Sequence, residues 1–279
     1  MKKILVPCDF TTPSIEAFKM AVDIASKSNG SITVLHVISL PRIDPIASGE
    51  PIVYSQAFFS ALDEDVKNAY ADMLRRHGKN EKVSLEIEVG GLFESIKKIT
   101  EKRKVDLVVM GTMGTTGIAE ALIGSNTEKT VRFSQVPVLA IHKACSIASI
   151  KNILLPATED FNRTDFISKV RTLQEFLKAK LHVLLVNTPV NFKRDEDGKE
   201  TLEQFAKHYQ LKNYALHFKN YRNEEEGIID FAITNKMDLI VMATHSRRGL
   251  SHLLTGSITE DVVNHNQTII PIWTYSIGK

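Results

Sequence analysis

The run Met110-Gly111-Thr112-Met113-Gly114, followed after nine residues by Gly124-Ser125, is the part of this chain best suited to chemistry. It comes just after the apolar run Val105–Val109, which reads as a buried parallel strand, and just before a stretch of helical periodicity from Thr127 to Phe133. Strand, glycine loop and helix start therefore follow in order. Without a Cβ at Gly111 and Gly114 the chain can turn sharply and lie close to a ligand. The N–H groups near Ser125 and Thr127 leave a helix N-terminus, where an anion is favoured. This is a phosphate-type site in outline. Ser125-Asn126-Thr127-Glu128 is equally an S-x-x-E capping box, so Gly124-Ser125 taken alone reads as the cap of a helix.

The elements that must position this loop are written twice. Lys3-Ile4-Leu5-Val6-Pro7 matches Asn152-Ile153-Leu154-Leu155-Pro156, and Val105–Met110 matches Met237–Met242. Farther on, Gly117 aligns with Gly249, Gly124-Ser125 with Gly256-Ser257, Thr127-Glu128 with Thr259-Glu260, and Val136-Pro137-Val138 with Ile270-Pro271-Ile272. The chain is thus two copies of one domain. Short β-branched runs alternate with amphipathic segments in each copy, the pattern of a parallel sheet covered by helices on both faces.

The fold class is α/β: two tandem doubly wound, Rossmann-like parallel sheets of five strands with flanking helices. Strands are expected near 3–7, 31–37, 83–89, 105–110 and 137–142, then near 151–156, 181–187, 213–219, 238–242 and 270–275. Helices are expected near 13–28, 60–78, 92–102 and 125–135. The stretch Ser39–Ser60, with Pro41, Pro45, Gly49 and Pro51, reads as a long loop that could act as a lid. Domain boundaries fall at 1–143 and 150–279, with Lys143–Ser149 as a short junction that holds the copies together as a two-fold related pair inside one chain. Pro137 and Pro271 suggest that the last strands lie at sheet edges, where a missing N–H is tolerated.

Composition excludes several classes. With 43% hydrophobic and 24% charged residues in 279, the chain is an ordinary globular protein of two domains. A formal net charge of +2 and the lack of a basic stripe with interleaved aromatics argue against nucleic acid as a partner. Lys97-Lys98 and Lys102-Arg103-Lys104 read as the solvated face and end of a helix. No apolar run approaches the roughly twenty residues that span a bilayer, and Met1-Lys2-Lys3 leads straight into a short strand, so a cytoplasmic location is expected. Cys8 and Cys145 lack metal-ligand spacing and read as two reduced thiols.

The spacing of Gly111, Gly114, Gly124 and Ser125, with the opening strand Ile4-Leu5-Val6-Pro7-Cys8-Asp9, the strand Leu35-His36-Val37 and the ending Val136-Pro137-Val138-Leu139, resembles the ATP-binding class of universal stress proteins. The resemblance covers the whole chain as a tandem pair. It implies the adenine nucleotide alpha hydrolase-like variant of the fold, with ATP or another adenylate across the carboxyl ends of the first sheet. Carried over, it implies that Asp9 and Val37 sit at the adenosine end and that Pro7 shapes the turn before Asp9. It also implies that Met110 and Gly111 pack along the nucleoside, that Gly114 leaves room beside the phosphates, and that Gly124, Ser125, Asn126 and Thr127 bind them. Asp9 is a suitable acceptor for ribose hydroxyls or adenine N–H. Met110 and Val37 also read as core residues, and His36 as a structural histidine.

The second copy departs from this pattern. Ala243 replaces Gly111, Ser246 replaces Gly114, Thr158 replaces Asp9, and Asn187 stands opposite Val37, while Arg247 and Arg248 add positive charge. That charge leaves a simpler anion or a protein surface open as an occupant of this loop, but the copy is expected to have filled its hollow and to serve a structural or partner-facing role, with Gly256-Ser257 kept as a cap, leaving one ATP per chain.

From Gly111 to Thr127 there is no lysine or arginine, so phosphate charge must be met by backbone dipoles and by Mg²⁺ held by the phosphates and water. No organised general base, H-E-x-x-H, paired cysteines or G-x-S-x-G elbow is present, so no catalytic residue is assigned and hydrolysis is expected to be slow or absent. The reading is an ATP-binding stress-response protein whose nucleotide shifts the engagement of an unidentified protein partner. A weak ATPase of the same fold and a nucleotide-free interaction module remain open, as does further pairing of tandem chains into a homodimer.

Overall fold

The computed structural model describes residues 1–39, 56–79, 82–112, 125–245, 262 and 270–277, with side chains of the second helix from residue 60. The first half runs β1 (Lys3–Pro7), α1 (Thr12–Ser28), β2 (Ser31–Ile38), α2 (Gln56–His77), β3 (Lys82–Val89), α3 (Leu92–Arg103), β4 (Leu107–Gly111), α4 (Ser125–Phe133) and β5 (Val138–Ile141). The second half repeats this as β6 (Asn152–Pro156), α5 (Thr164–Leu177), β7 (Lys180–Asn187), α6 (Asp195–His208), β8 (Tyr214–Asn220), α7 (Glu224–Thr234), β9 (Leu239–His245) and β10 (Ile272–Ile277). The strands expected from sequence are all present, within two or three residues at their ends. Of the stretch Ser39–Ser60, residues 40–55 lie outside the described residues and Gln56 already begins α2.

Each half has its strands parallel, in the order β3-β2-β1-β4-β5 or its mirror β8-β7-β6-β9-β10. The two five-stranded units join edge to edge into one ten-stranded sheet, because β5 pairs antiparallel with β10 through Trp273↔Leu139 and its neighbours. The expectation that the last strands are sheet edges is therefore corrected: they form the centre. Pro137 and Pro271 stand just outside β5 and β10 and act as acceptors, from Val108 N–H at 2.9 Å and Ile240 N–H at 3.0 Å, so neither proline removes a needed donor.

Strands buried on both faces explain the near-continuous apolar runs. On one face, Ile4 and Val6, α1 and α5 share a single core that crosses the seam and includes Trp273. On the other face the core is in two parcels, Leu5 and Met110 with α3 and α4, and Leu154 and Met242 with α7. Asp106 and Asp238 occupy matching places at the amino ends of the sheets: each carboxylate accepts from two consecutive backbone N–H groups, of Lys2 and Lys3 and of Lys151 and Asn152.

The junction is held by α1. The Glu16 carboxylate accepts from Ala144 N–H at 2.8 Å and the Asp23 carboxylate from Ile147 N–H at 2.5 Å. Both acceptors lie on one side of the helix because seven residues make two turns. The basic residues of α3 are not merely solvated, since Lys98 pairs with Glu88 and Arg103 with Glu86 on β3. Both cysteines are free thiols. No helix among the described residues is long and apolar enough to cross a membrane.

Candidate functional site

In a sheet of order 3-2-1-4-5 the strand order reverses between the first and fourth strands, and their helices leave on opposite faces, opening a crevice at the carboxyl ends. In the first half that crevice is a cleft of about 290 Å³. It brings together Pro7, Asp9, Val37, Met110, Gly111, Asn126 and Thr127, all expected from sequence. Gly114 and Gly124 lie outside the described residues. Ser125 begins α4, but its side chain is outside them too. Thr11, Ser14, Ser39 and Leu92 also line the cleft and were not anticipated. The hydroxyls of Thr11 and Ser14 were detectable in principle, since Thr11-Thr12-Pro13-Ser14 reads as a helix start directly after the strand bearing Asp9.

Asp9 is exposed, and its carboxylate accepts from Thr11 N–H at 3.1 Å and from the Thr11 hydroxyl at 2.6 Å. Partial burial pushes its pKa up, but the hydrogen bonds from Thr11 and Ser14 outweigh that and hold it below the ordinary aspartate value. Packing alone does not explain Asp9, yet it already has a local task, ordering the turn that starts α1. It keeps acceptor capacity to spare, since an ionised carboxylate offers about four lone-pair sites.

Gly111 lines the cleft, but its missing Cβ makes room for protein. A Cβ there would overlap the carbonyl of Pro13 at the start of α1. Its glycine is thus explained by α1 lying on the end of β4. The Thr127 hydroxyl sits 3.4 Å from the Gly111 carbonyl and the residue is buried, whereas Asn126 is exposed at the first turn of α4. His36 is satisfied as a structural residue: its Nδ1 donates to the Cys8 carbonyl at 2.8 Å and its ring stacks on Phe10. Burial pushes the Cys8 thiol pKa up, and its Sγ lies 3.4 Å from the Ser14 hydroxyl, so it is a packed, unreactive thiol. Asp9 is the one carboxylate among the described residues that line this cleft, His36, already bonded to the Cys8 carbonyl, is the one imidazole, and no lysine or arginine joins them.

The second half was expected to have filled its hollow, but among the described residues it has not. A cleft of about 410 Å³ opens at the same place, the carboxyl ends of β6, β7 and β9. Two glycines set its walls: a Cβ at Gly198 would overlap the Phe218 ring, and one at Gly227 would overlap Val186 and Tyr221, so α6 and α7 lie close on β8 and β7. The strand registers pair Pro7 with Leu35 and Pro156 with Leu184, which makes Val186 the counterpart of Val37 and Asn187 that of Ile38. The one-residue offset matters, because Asn187 is consumed within the protein. It is buried, donates to the Lys193 carbonyl and to Asn220 Oδ1, and accepts from Lys193 N–H, pinning the loop after β7. Ser246, Arg247 and Arg248 lie outside the described residues.

With this geometry the comparisons with known proteins agree. The family model described as the universal stress protein family matches residues 1–142 and again 150–268. Universal stress protein MJ0531 of Methanocaldococcus jannaschii is 32% identical over 143 residues, covering 51% of this chain and 82% of its own length. Universal stress protein Slr1230 of Synechocystis is 21% identical across 99% of this chain and 100% of itself. The crystal structure of a universal stress protein from Archaeoglobus fulgidus superposes with a TM-score of 0.75 at 18% identity, covering 99% of this chain and 98% of its own, which shows a common fold for the whole tandem arrangement. Two successive matches to one family model, spread over nearly all of the doubled sheet, place the chain in the universal stress protein family.

Proposed function

We propose that the first-half cleft binds an adenine nucleotide, ATP in particular, one per chain, and that the protein acts as a nucleotide-dependent regulator in a stress response rather than as an efficient enzyme. The observation that carries this reading is the convergence of Asp9, Val37, Met110, Asn126 and Thr127 on one crevice at the point where the strand order reverses. Asp9 supplies acceptors suited to hydroxyls, Val37 and Met110 supply an apolar wall, and the amino end of α4 supplies N–H groups and a favourable dipole for phosphate.

The residues present suit a nucleotide that brings its own metal. Among the described residues no three carboxylates, histidines or thiols converge, so Mg²⁺ would be held by phosphate oxygens and water. The same poverty of acids, bases and cations argues for slow hydrolysis or none.

A second reading draws on one set of contacts. Asp9 is already bonded to Thr11, the Thr127 hydroxyl is directed at Gly111, and the space beside Gly111 is taken by Pro13, all of which suits a nucleotide-free interaction module. Calorimetry of the full chain with MgATP separates the two. Saturable uptake of one nucleotide, abolished by Gly114→Val with the circular dichroism spectrum kept, supports binding. No heat with ATP, ADP or AMP leaves the interaction module. Sustained phosphate release that collapses in Asp9→Ala with little loss of affinity would instead establish an ATPase.

A further inference from the structure

The helix that turns its amino end to the first-half cleft is capped at its other end by the second half. α4 has nine residues, about two and a half turns, and packs against β10 and β9 as well as its own β5. Its first turn, with Asn126 and Thr127, lines the cleft. Its last turn leaves carbonyls that no N–H of the helix can reach, as every helix does. Among the described residues the chain beyond the helix meets one of them, through Ser134 N–H on the Thr130 carbonyl at 2.9 Å, before it turns toward Pro137 and β5. The next two are met from across the seam: the Thr244 hydroxyl donates to the Val131 carbonyl at 3.2 Å, and the Ser276 hydroxyl to the Arg132 carbonyl at 3.4 Å.

The two donors form a pair. Thr244 on β9 and Ser276 on β10 stand opposite each other in the strand register, so neighbouring hydroxyls face consecutive carbonyls. Thr244 and Val131 are both buried, where water does not replace a lost donor. Thr112, which holds the place of Thr244 in the first half, instead donates its hydroxyl to the Ile141 carbonyl of its own sheet. At the cleft end of α4 the Thr127 hydroxyl reaches the Gly111 carbonyl only at a long 3.4 Å. A helix of nine residues does not hold itself, because helices shorter than about 12 residues are marginal alone and form cooperatively, so freeing the last turn loosens the first.

We propose that Thr244 and Ser276 are positioning residues of the first-half nucleotide cleft. By capping α4 from the second half they keep its leading N–H groups aimed at phosphate, and the copy with the altered motif thereby braces the site in the other copy. This role rests on the nucleotide reading above and adds to it a dependence on residues that touch no ligand.

The test uses the full chain, with MgATP in calorimetry and amide hydrogen exchange without nucleotide. Thr244→Val puts a methyl of similar size in place of the hydroxyl. It should weaken ATP about tenfold, the weight of one buried hydrogen bond, and speed exchange across 126–133 while β1 exchanges as before. Thr244→Ser keeps the donor and should hold ATP affinity to about twofold of the wild type. Ser276→Ala removes the longer, less buried bond and should weaken ATP about threefold, and it carries the test by itself should Thr244→Val fail to fold. A lowered urea midpoint with ATP affinity and α4 exchange unchanged would make the hydroxyls ordinary seam contacts and overturn the proposal. So would a loss of ATP affinity that Thr244→Ser shares, or faster exchange spread through the whole sheet. A wild-type chain that takes up no adenylate sinks the nucleotide reading and this role with it, whereas ATP bound equally well by wild type and both donor-free variants sinks this role alone.

Discussion

Gly111 at the end of β4 lies directly beneath Pro13 at the start of α1, so close that a methyl group on Gly111 would overlap the Pro13 carbonyl. The neighbour is backbone, which cannot rotate away as a long side chain can. Gly111→Ala is expected to cost about 1–3 kcal/mol through overpacking and to lower the urea midpoint with the m-value unchanged. The counterpart in the second half already carries alanine, Ala243, and three more residues separate β6 from α5 than β1 from α1, so Ala243→Gly should be nearly neutral or mildly destabilising there.

The seam predicts cooperative unfolding. Trp273 is the only tryptophan, is 2% exposed, and stacks on Phe166 within a core shared by both halves. Tryptophan fluorescence and far-ultraviolet circular dichroism should therefore report one coincident transition in urea. Trp273→Ala should remove about 3–5 kcal/mol. Two separated transitions in the wild-type chain would show that β5 and β10 do not couple the halves.

A histidine pair between β7 and β8 gives the protein an acid sensitivity. His182 Nδ1 lies 3.1 Å from His217 Nε2, the rings stack, and His182 Nε2 reaches Asn152 Oδ1, which makes it the donor there. Burial, then Lys180, depresses the His182 pKa; burial, then His182, Lys219 and Lys180, depresses that of His217. In the unfolded chain these imidazoles take up protons near pH 6.5 while the folded ones still resist. Unfolding thus binds protons in that window. Stability is full above pH 6.5 and falls as the pH drops from there toward the lower folded values. Urea midpoints measured across this range should decline, and His182→Gln with His217→Gln should flatten the decline.

The junction should be sensitive to its carboxylate clamps. Asp23→Ala leaves the Ile147 N–H without its acceptor, at an expected cost of about 1–3 kcal/mol, and limited proteolysis near 144–149 should accelerate. Glu16→Gln should do less, because an amide oxygen still accepts from Ala144 and only the contact with Lys19 is weakened. An unchanged cleavage rate in Asp23→Ala would show that the buried Ile147 and Ile150 alone seat the junction.

The strands were readable because parallel strands buried on both faces leave unbroken apolar runs such as Ile4-Leu5-Val6 and Leu107-Val108-Val109, and the second copy repeats them. Pairing of β5 with β10 was not readable. It joins Leu139 to Trp273, distant in sequence, and the nearby prolines point toward edges until their carbonyls are seen accepting from β4 and β9. Within the first-half site, residue identities were readable while their present partners were not: nothing in Gly111 names Pro13 as its neighbour. In the second half the lost motif was plain, but substitution at Ala243 and Thr158 does not say whether a hollow closes. The hollow is framed by Leu184, Val186, Phe218 and Ile228, which lie outside the motif, with Gly198 and Gly227 letting α6 and α7 pack close on β8 and β7.

The antiparallel seam also sets where anything entering this molecule must arrive. Because all strands of one half run against all strands of the other, the carboxyl ends that frame the two clefts belong to opposite rims of the common sheet. The protein is a two-ported slab, in which a partner can seal one port while the other stays open to solvent. Any coupling between the ports has to cross this seam, through the strand pair, the shared core around Trp273, the bonds from the Thr244 and Ser276 hydroxyls to the carbonyls of Val131 and Arg132, and the α1 clamps on the junction.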